Sequence, residues 1–191
     1  MKAYSLTSFL LCLLCITATA QKDALTAHAS QLFDGISCKL TNAEKNDIAT
    51  LSTLQLNAAD NEFYKGSSVP LTVRVFVFDL TNDGTDEVGI SYRPKDDTKQ
   101  KQLASMLFVK DKTGTFTLNM DVSGKFYFLD VNKLAFPDIY VRNDKAGLPV
   151  YRWNGNSYKK HTNLNPAKLK KYTISTMANE SKRYKSLQLR E

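Results

Sequence analysis

The chain reads as an α+β protein with one or two N-terminal helices, an antiparallel β unit of about seven or eight short strands, blade-like or sandwich, and a basic C-terminal helix. Three observations predict this. Between residues 70 and 161, short runs alternate apolar and polar positions and are separated by turn residues. Upstream, a Thr-x-x-Glu signature at Thr41 precedes a helical stripe. After His161 the alternation stops, and Leu and Tyr at helical spacing are interleaved with Lys and Arg.

The first twenty residues stand apart. Lys2 supplies a positive end, Phe9 to Ile16 an apolar run, and Ala18-Thr19-Ala20 a small-residue cleavage site, the pattern of a signal peptide. That run is shorter than the roughly 20 residues needed to span a bilayer, and no later run approaches that length. Leu11 and Leu14 precede Cys12 and Cys15 where lipid attachment calls for a small residue. We therefore expect cleavage before Gln21, export to the periplasm or medium, and neither lipid anchor nor membrane span. The chain then divides into a signal peptide (1–20), a helical segment (21–68), an antiparallel β domain (69–161) and a basic helical or flexible tail (162–191).

Cleavage leaves Cys38 as the sole cysteine, so no intrachain disulfide can form. In an oxidising compartment the fold must then rest on its core, an ion or a partner. The formal charge of +7 falls by one when Lys2 is removed. An excess of this size favours anionic partners, and no nucleic-acid-binding pattern accompanies it. An anionic glycan or an envelope protein is the expected partner class.

Taking the elements in order, Leu25, His28, Leu32 and Ile36 fall at helical spacing. Thr41-Asn42-Ala43-Glu44 forms a capping box, predicting a helix from about Asn42 to Leu54 with Ile48 and Leu51 inward. Residues 57 to 68 are polar and turn-rich and read as a linker. Leu71 to Phe78 alternates cleanly, and Val88, Ile90 and Tyr92 resume the alternation after an acidic loop. Met106 to Lys110 and Thr115 to Met120 flank a turn at Asp111-Lys112-Thr113-Gly114. Phe126 to Leu129 and Ile139 to Val141 are short and β-prone. Asn154-Gly155 predicts a type I′ hairpin between Tyr151-Arg152-Trp153 and Ser157-Tyr158. In the tail, seven Lys and Arg residues against Glu180 and Glu191 concentrate most of the excess charge. The spacing of Leu169, Tyr172, Met177, Tyr184 and Leu187 fits a docked helix or a flexible recognition arm.

The acidic loop, Asp79-Leu80-Thr81-Asn82-Asp83-Gly84-Thr85-Asp86-Glu87, is the one stretch where oxygen-bearing side chains recur at fixed spacing. Asp79, Thr81, Asp83, the Thr85 carbonyl and Glu87 occupy odd positions around a central glycine. Calcium takes six to eight oxygens from loops of this kind. The competing reading is a polar hairpin loop in which Asp79 and Asp83 accept amides of the turn.

This loop resembles the aspartate loop of FG-GAP and VCBS-type repeats, in which a strand runs into a calcium loop and out again. The segments Phe136-Pro137-Asp138-Ile139 and Pro149 to Tyr158 resemble the close of small exported proteins of Gram-negative bacteria, particularly Bacteroidota. The likeness spans roughly residues 38 to 161. It implies a β architecture and a calcium site but no activity. Only one acidic loop is present, and length excludes a complete seven-bladed propeller; Thr81 stands where those repeats offer Asn or Asp, and a hydroxyl is a poorer ligand than a carboxylate.

No catalytic constellation emerges. His28 and His161 lack a nucleophile or second ligand at useful spacing, and the carboxylates crowd one loop where an ion explains them better than acid/base chemistry. The reading is an exported, non-enzymatic binding or structural protein of the bacterial cell envelope with one calcium-binding loop. Its partner-binding candidates are Tyr151, Trp153 and Tyr158, as aromatic strand residues, and Lys168, Lys170 and Lys171, as the basic run. The alternative is an inhibitor or immunity protein that blocks an envelope hydrolase.

Overall fold

The computed structural model describes residues 24–131, 135–143 and 147–189. The expected signal peptide lies outside them. The protein is α+β, with antiparallel strands in two sheets and a C-terminal helix.

Two helices lead the chain, α1 (Ala27–Leu32) and α2 (Asn42–Leu51). The Thr41 side chain accepts the Glu44 amide at 3.2 Å, and the Glu44 carboxylate accepts the Thr41 amide at 2.8 Å. The other Glu44 oxygen meets Lys110 Nζ at 2.6 Å, so one residue both caps the helix and ties it to a strand end. Ala29, Leu32, Ile48 and Ala49 from the two helices are buried in the main core.

The first sheet is a meander in sequence order: β1 (Gln55–Asn57), β2 (Glu62–Tyr64), β3 (Leu71–Phe78), β4 (Glu87–Pro94), β5 (Ala104–Lys110) and β6 (Phe116–Ser123). The second contains β7 (Lys125–Leu129), β8 (Asp138–Arg142), β9 (Leu148–Trp153) and β10 (Tyr158–Leu164). At the far edge of that sheet, β11 (Ile174–Thr176) pairs with β7. Both sheets contribute to one core, in which Phe78 of β3 and Phe128 of β7 meet edge to face with ring centroids 5.5 Å apart.

The described residues hold eleven strands rather than seven or eight. The eight from β3 to β10 occupy the stretch that alternation marks. The other three, β1, β2 and β11, are three-residue strands that alternation cannot register. The segment read as a linker therefore contributes a hairpin, and the tail contributes both a sheet edge and α3 (Met177–Gln188). The turn at Asn154-Gly155 also differs from the type I′ expectation. Tyr158 pairs with Trp153, leaving a four-residue loop in which the Asn154 side chain accepts the amides of Asn156 and Ser157.

Only Gly124 separates the last strand of the first sheet from the first strand of the second. Its φ is +123°, and an added Cβ would lie 2.6 Å from the Arg142 carbonyl oxygen and 2.7 Å from Val141 Cγ1. Its amide donates to the Leu103 carbonyl at 2.7 Å, and its carbonyl accepts from Ser105 Oγ, also at 2.7 Å. Every polar group of the joint is thus committed while no space is left for a side chain.

Gly124→Ala should destabilise the protein by about 2 kcal/mol or more in chemical denaturation, since it meets both backbone strain and a steric clash. Gly155→Ala, at φ +97° with open space around it, should cost less. A second test concerns pH. Burial tends to raise the Glu44 pKa, but hydrogen bonds from Lys110 and Thr41 outweigh it, and the net shift is downward from 4.5. A depressed carboxyl stabilises above its unfolded pKa and loses that stabilisation as pH falls through its folded pKa. Glu44→Gln, which can keep the capping box but not the ion pair, should be less stable than wild type at pH 7, by about 0.5 kcal/mol. Melts repeated at falling pH should show the gap closing below the usual carboxylate range.

Candidate functional site

The β3–β4 connection is organised by its own acidic side chains. Phe78 and Glu87 are the last paired residues, and Asn82 (φ 59°) and Gly84 (φ 84°) turn the chain between them. Asp79 Oδ1 accepts the Asp83 amide at 3.2 Å, and Asp79 Oδ2 accepts the Gly84 amide at 2.8 Å. Asp83 Oδ1 in turn accepts the Thr85 amide at 2.8 Å, and Thr81 Oγ1 approaches Asp79 Oδ1 at 3.5 Å. Short acidic side chains make such bonds readily because they reach amides two to five residues on without strain.

The last two acids of the loop point inward. Asp86 is 4% exposed and Glu87 1%. Glu87 Oε2 accepts the Leu80 amide at 2.7 Å, which bridges the two ends of the loop. Burial pushes the Glu87 carboxyl well above the usual range; the Leu80 amide opposes this, while the charges of Asp79, Asp83 and Asp86 add to the rise. These four acids therefore form one electrostatic unit.

The C-terminal helix closes over this unit. Arg183 Nε donates to Glu180 Oε2 at 2.7 Å, its Nη1 to Asn82 Oδ1 at 2.7 Å, and its Nη2 to the Asp79 carbonyl at 3.0 Å. The Tyr184 hydroxyl donates to Asp86 Oδ1. Burial, and then that bond, raise the Tyr184 phenol above its ordinary value. Asp86 Oδ2 is buried without a partner. A helix 104 residues away from Asp79 is thus fastened to the loop through its backbone, an asparagine and a buried carboxylate.

The helix can seat here because Gly89 leaves room. A Cβ at Gly89 would collide with Met177 Sδ and stand 3.1 Å from the Phe78 ring. Met177, the first residue of α3, is 4% exposed and belongs to the main core.

The expected metal ligands Asp79, Thr81, Asp83, Thr85 and Glu87 all lie in this loop, within the hydrogen-bond network just described. Among the described residues no group of three or more His, Cys, Asp or Glu side chains is arranged to hold an ion. Asp86, Arg183 and Tyr184 complete the unit and were not foreseen. Asp86 carries the same acidic signal as its neighbours, but nothing in the local pattern indicates its inward turn or marks Tyr184 as its partner.

The expected partner-binding residues fare differently. Tyr158 is 4% exposed and lies in the core, with its hydroxyl donating to the Pro137 carbonyl at 2.9 Å. Trp153 is half-buried between Phe136, at 4.4 Å between ring centroids, and Tyr158, at 5.4 Å. Tyr151 is likewise half-buried against the core. The three aromatics fill space on the inside of the β9–β10 hairpin, as expected for large rings beside a sheet. Lys168, Lys170 and Lys171 are exposed, but on a short 3₁₀ turn (Pro166–Lys171) that precedes α3. Leu169 and Tyr172 from the same stretch pack on a small second cluster with Leu129, Tyr140, Val150 and Leu164. Cys38 is half-buried against the main core.

Neither a family model, nor a curated protein, nor a solved structure matches this chain.

Arg183→Ala should lower stability by about 2 kcal/mol, because it strands the buried Glu180 carboxylate and releases two loop acceptors. Denaturant unfolding measures the loss. Hydrogen exchange at Gly84 and Thr85 should accelerate in the variant, and unchanged exchange there would show that the helix does not restrain the loop.

Proposed function

We propose that the protein is an exported, non-enzymatic binding module of the bacterial cell envelope whose β3–β4 loop takes up calcium. The observation that carries the calcium reading is the way backbone amides orient Asp79 and Asp83 while leaving lone pairs on each carboxylate unused. Each oxygen of an ionised carboxylate accepts two bonds, so the amide network and an ion are compatible. The orphaned Asp86 oxygen and the mutual repulsion among Asp79, Asp83, Asp86 and Glu87 make the same loop receptive to positive charge. Calcium, when bound, would supply the charge that these carboxylates lack and draw them together. Asp79, Thr81, Asp83, the Thr85 carbonyl and Glu87 are the residues that would hold it.

The binding role rests on a second feature. Because α3 is tied to the loop through Arg183 and Tyr184, ordering the loop also orders the C-terminal helix, and the ion acts on the fold as a whole. Extracellular calcium modules work at about 10⁻⁴ to 10⁻³ M, the range expected for a loop with one hydroxyl among its ligands.

Thermal melts in chelator and in millimolar calcium test the calcium reading. The wild-type midpoint should rise, with stability increasing by about 2.7 kcal/mol at a hundredfold excess over Kd. Magnesium should do less, since its small octahedral shell demands closer oxygens. Asp83→Ala should abolish the calcium response. A wild-type midpoint that ignores calcium would leave the loop as a polar turn only.

A further inference from the structure

The strongest unassigned feature is a cavity of about 130 Å³ lined by residues of both sheets. Its walls come from β3 and β4 of the first sheet, β7 of the second, and the first residues of α3. Thr72 and Arg74 of β3 pair across the sheet with Arg93 and Ser91 of β4, so two guanidiniums and two hydroxyls share one face. Lys125, next to the Gly124 joint, stands at the rim on the second sheet, its ammonium on the Tyr127 face of β7. The floor is apolar, made by Phe76, Leu103, Phe126 and Met177.

No carboxylate lines this cavity. Among the described residues none of the three cations has an acidic partner. Arg93 is held by carbonyls, donating to Asp97 O at 2.6 Å and Pro94 O at 3.4 Å, which orient its guanidinium without neutralising it. Lys125 lies over the Tyr127 ring, 5.4 Å from the centroid. Arg74 is exposed. A neighbouring cleft shares Gln100, Leu103 and Lys125 and adds Lys101 and Arg142, again with no acid among its lining residues. The amide dipoles at the start of α3, where Ala178 reaches the cavity wall, add to the positive potential.

Unpaired like charges around a cavity repel one another, and a folded protein can support them at its surface at small cost only where water or an anion screens them. Arg is suited to the second case, because its planar fork meets carboxylate and phosphate oxygens two at a time. Flanking hydroxyls add donors, and an apolar floor beneath a ring of polar groups is the usual build of a small-molecule site.

We propose that this cavity binds a small amphiphilic anion, a carboxylate or phosphate head gripped by Arg74 and Arg93, with the Lys125 ammonium swinging in from the rim and a short apolar tail on Phe76 and Leu103. The inference deepens the binding-module reading by naming its ligand class, and it does not depend on the calcium loop. Thr72 and Ser91 orient the head group by donating to its remaining oxygens. The tail is limited to a few carbons by the closeness of the floor.

The test is a titration of the isotope-labelled full-length protein with hexanoate, hexyl phosphate, inorganic phosphate and the neutral hexanol, followed by amide chemical shifts. Hexanoate or hexyl phosphate should give saturable shifts in 72–76, 91–93, 125–126 and 177–178. Inorganic phosphate should bind the same residues more weakly and hexanol not at all. Arg74→Glu combined with Lys125→Glu changes only exposed side chains and should keep the wild-type melting midpoint while weakening binding by at least about tenfold. Absence of saturable shifts with either amphiphilic anion, shifts confined to other residues, or undiminished binding by the double variant would overturn the proposal. So would binding to anionic phospholipid vesicles without any response to the free anions, which would point to a membrane surface instead. A protein that melts higher in calcium yet ignores both anions would lose this ligand assignment and keep the calcium reading.

Discussion

The architecture hangs on a joint one residue long. Gly124 passes the chain directly from β6 to β7, so the two sheets are joined at one corner. A longer connection would let the second sheet slide over the first. With one residue, and with the Leu103 carbonyl and the Ser105 hydroxyl holding it, the relative placement is set by backbone geometry. The Phe78–Phe128 contact and the shared core follow from that placement, and so does the basic cleft, where Lys125 stands beside the joint.

The C-terminal segment packs on both sheets. β11 covers the free edge of β7, Met177 enters the core against Gly89, and α3 reaches the acidic loop. An exposed sheet edge invites pairing with other chains, and a short strand with a helix behind it is a common way to cover one. The polar contacts follow the same economy of place. Arg183 lies between Glu180 on its own helix and two acceptors of the loop, so loop order and helix docking are coupled, and the proposed ion would act on both.

How much of this was legible depends on the range of the interaction. The Thr41–Glu44 capping box is visible in four residues because both of its bonds close within one turn. The eight strands from β3 to β10 show themselves by alternation, and the acidic loop by its spacing. Strands of three residues carry too few positions for a period to appear, so β1, β2 and β11 are found only in their pairing. Tyr158 is legible as an aromatic strand residue, but which face of the strand it takes is not, and the fold turns it inward against Phe136 and Trp153.

Charge shows the same division. By count, the tail holds most of the positive excess, and Lys168, Lys170 and Lys171 form its densest run. They lie, however, on an exposed turn whose Leu169 packs on the small second cluster. Arg74, Arg93 and Lys125 are isolated in the chain and meet only when β3 pairs with β4 and Gly124 brings β7 alongside. By itself the sequence determined the local elements, namely the cap, the alternating strands and the amide-binding acids of the loop, because each is satisfied within a few residues. The tertiary structure alone decided the basic cleft, the inward turn of Asp86 and Glu87, and the fastening of α3. These depend on groups tens of residues apart, whose meeting is set by sheet pairing and burial rather than by any local pattern.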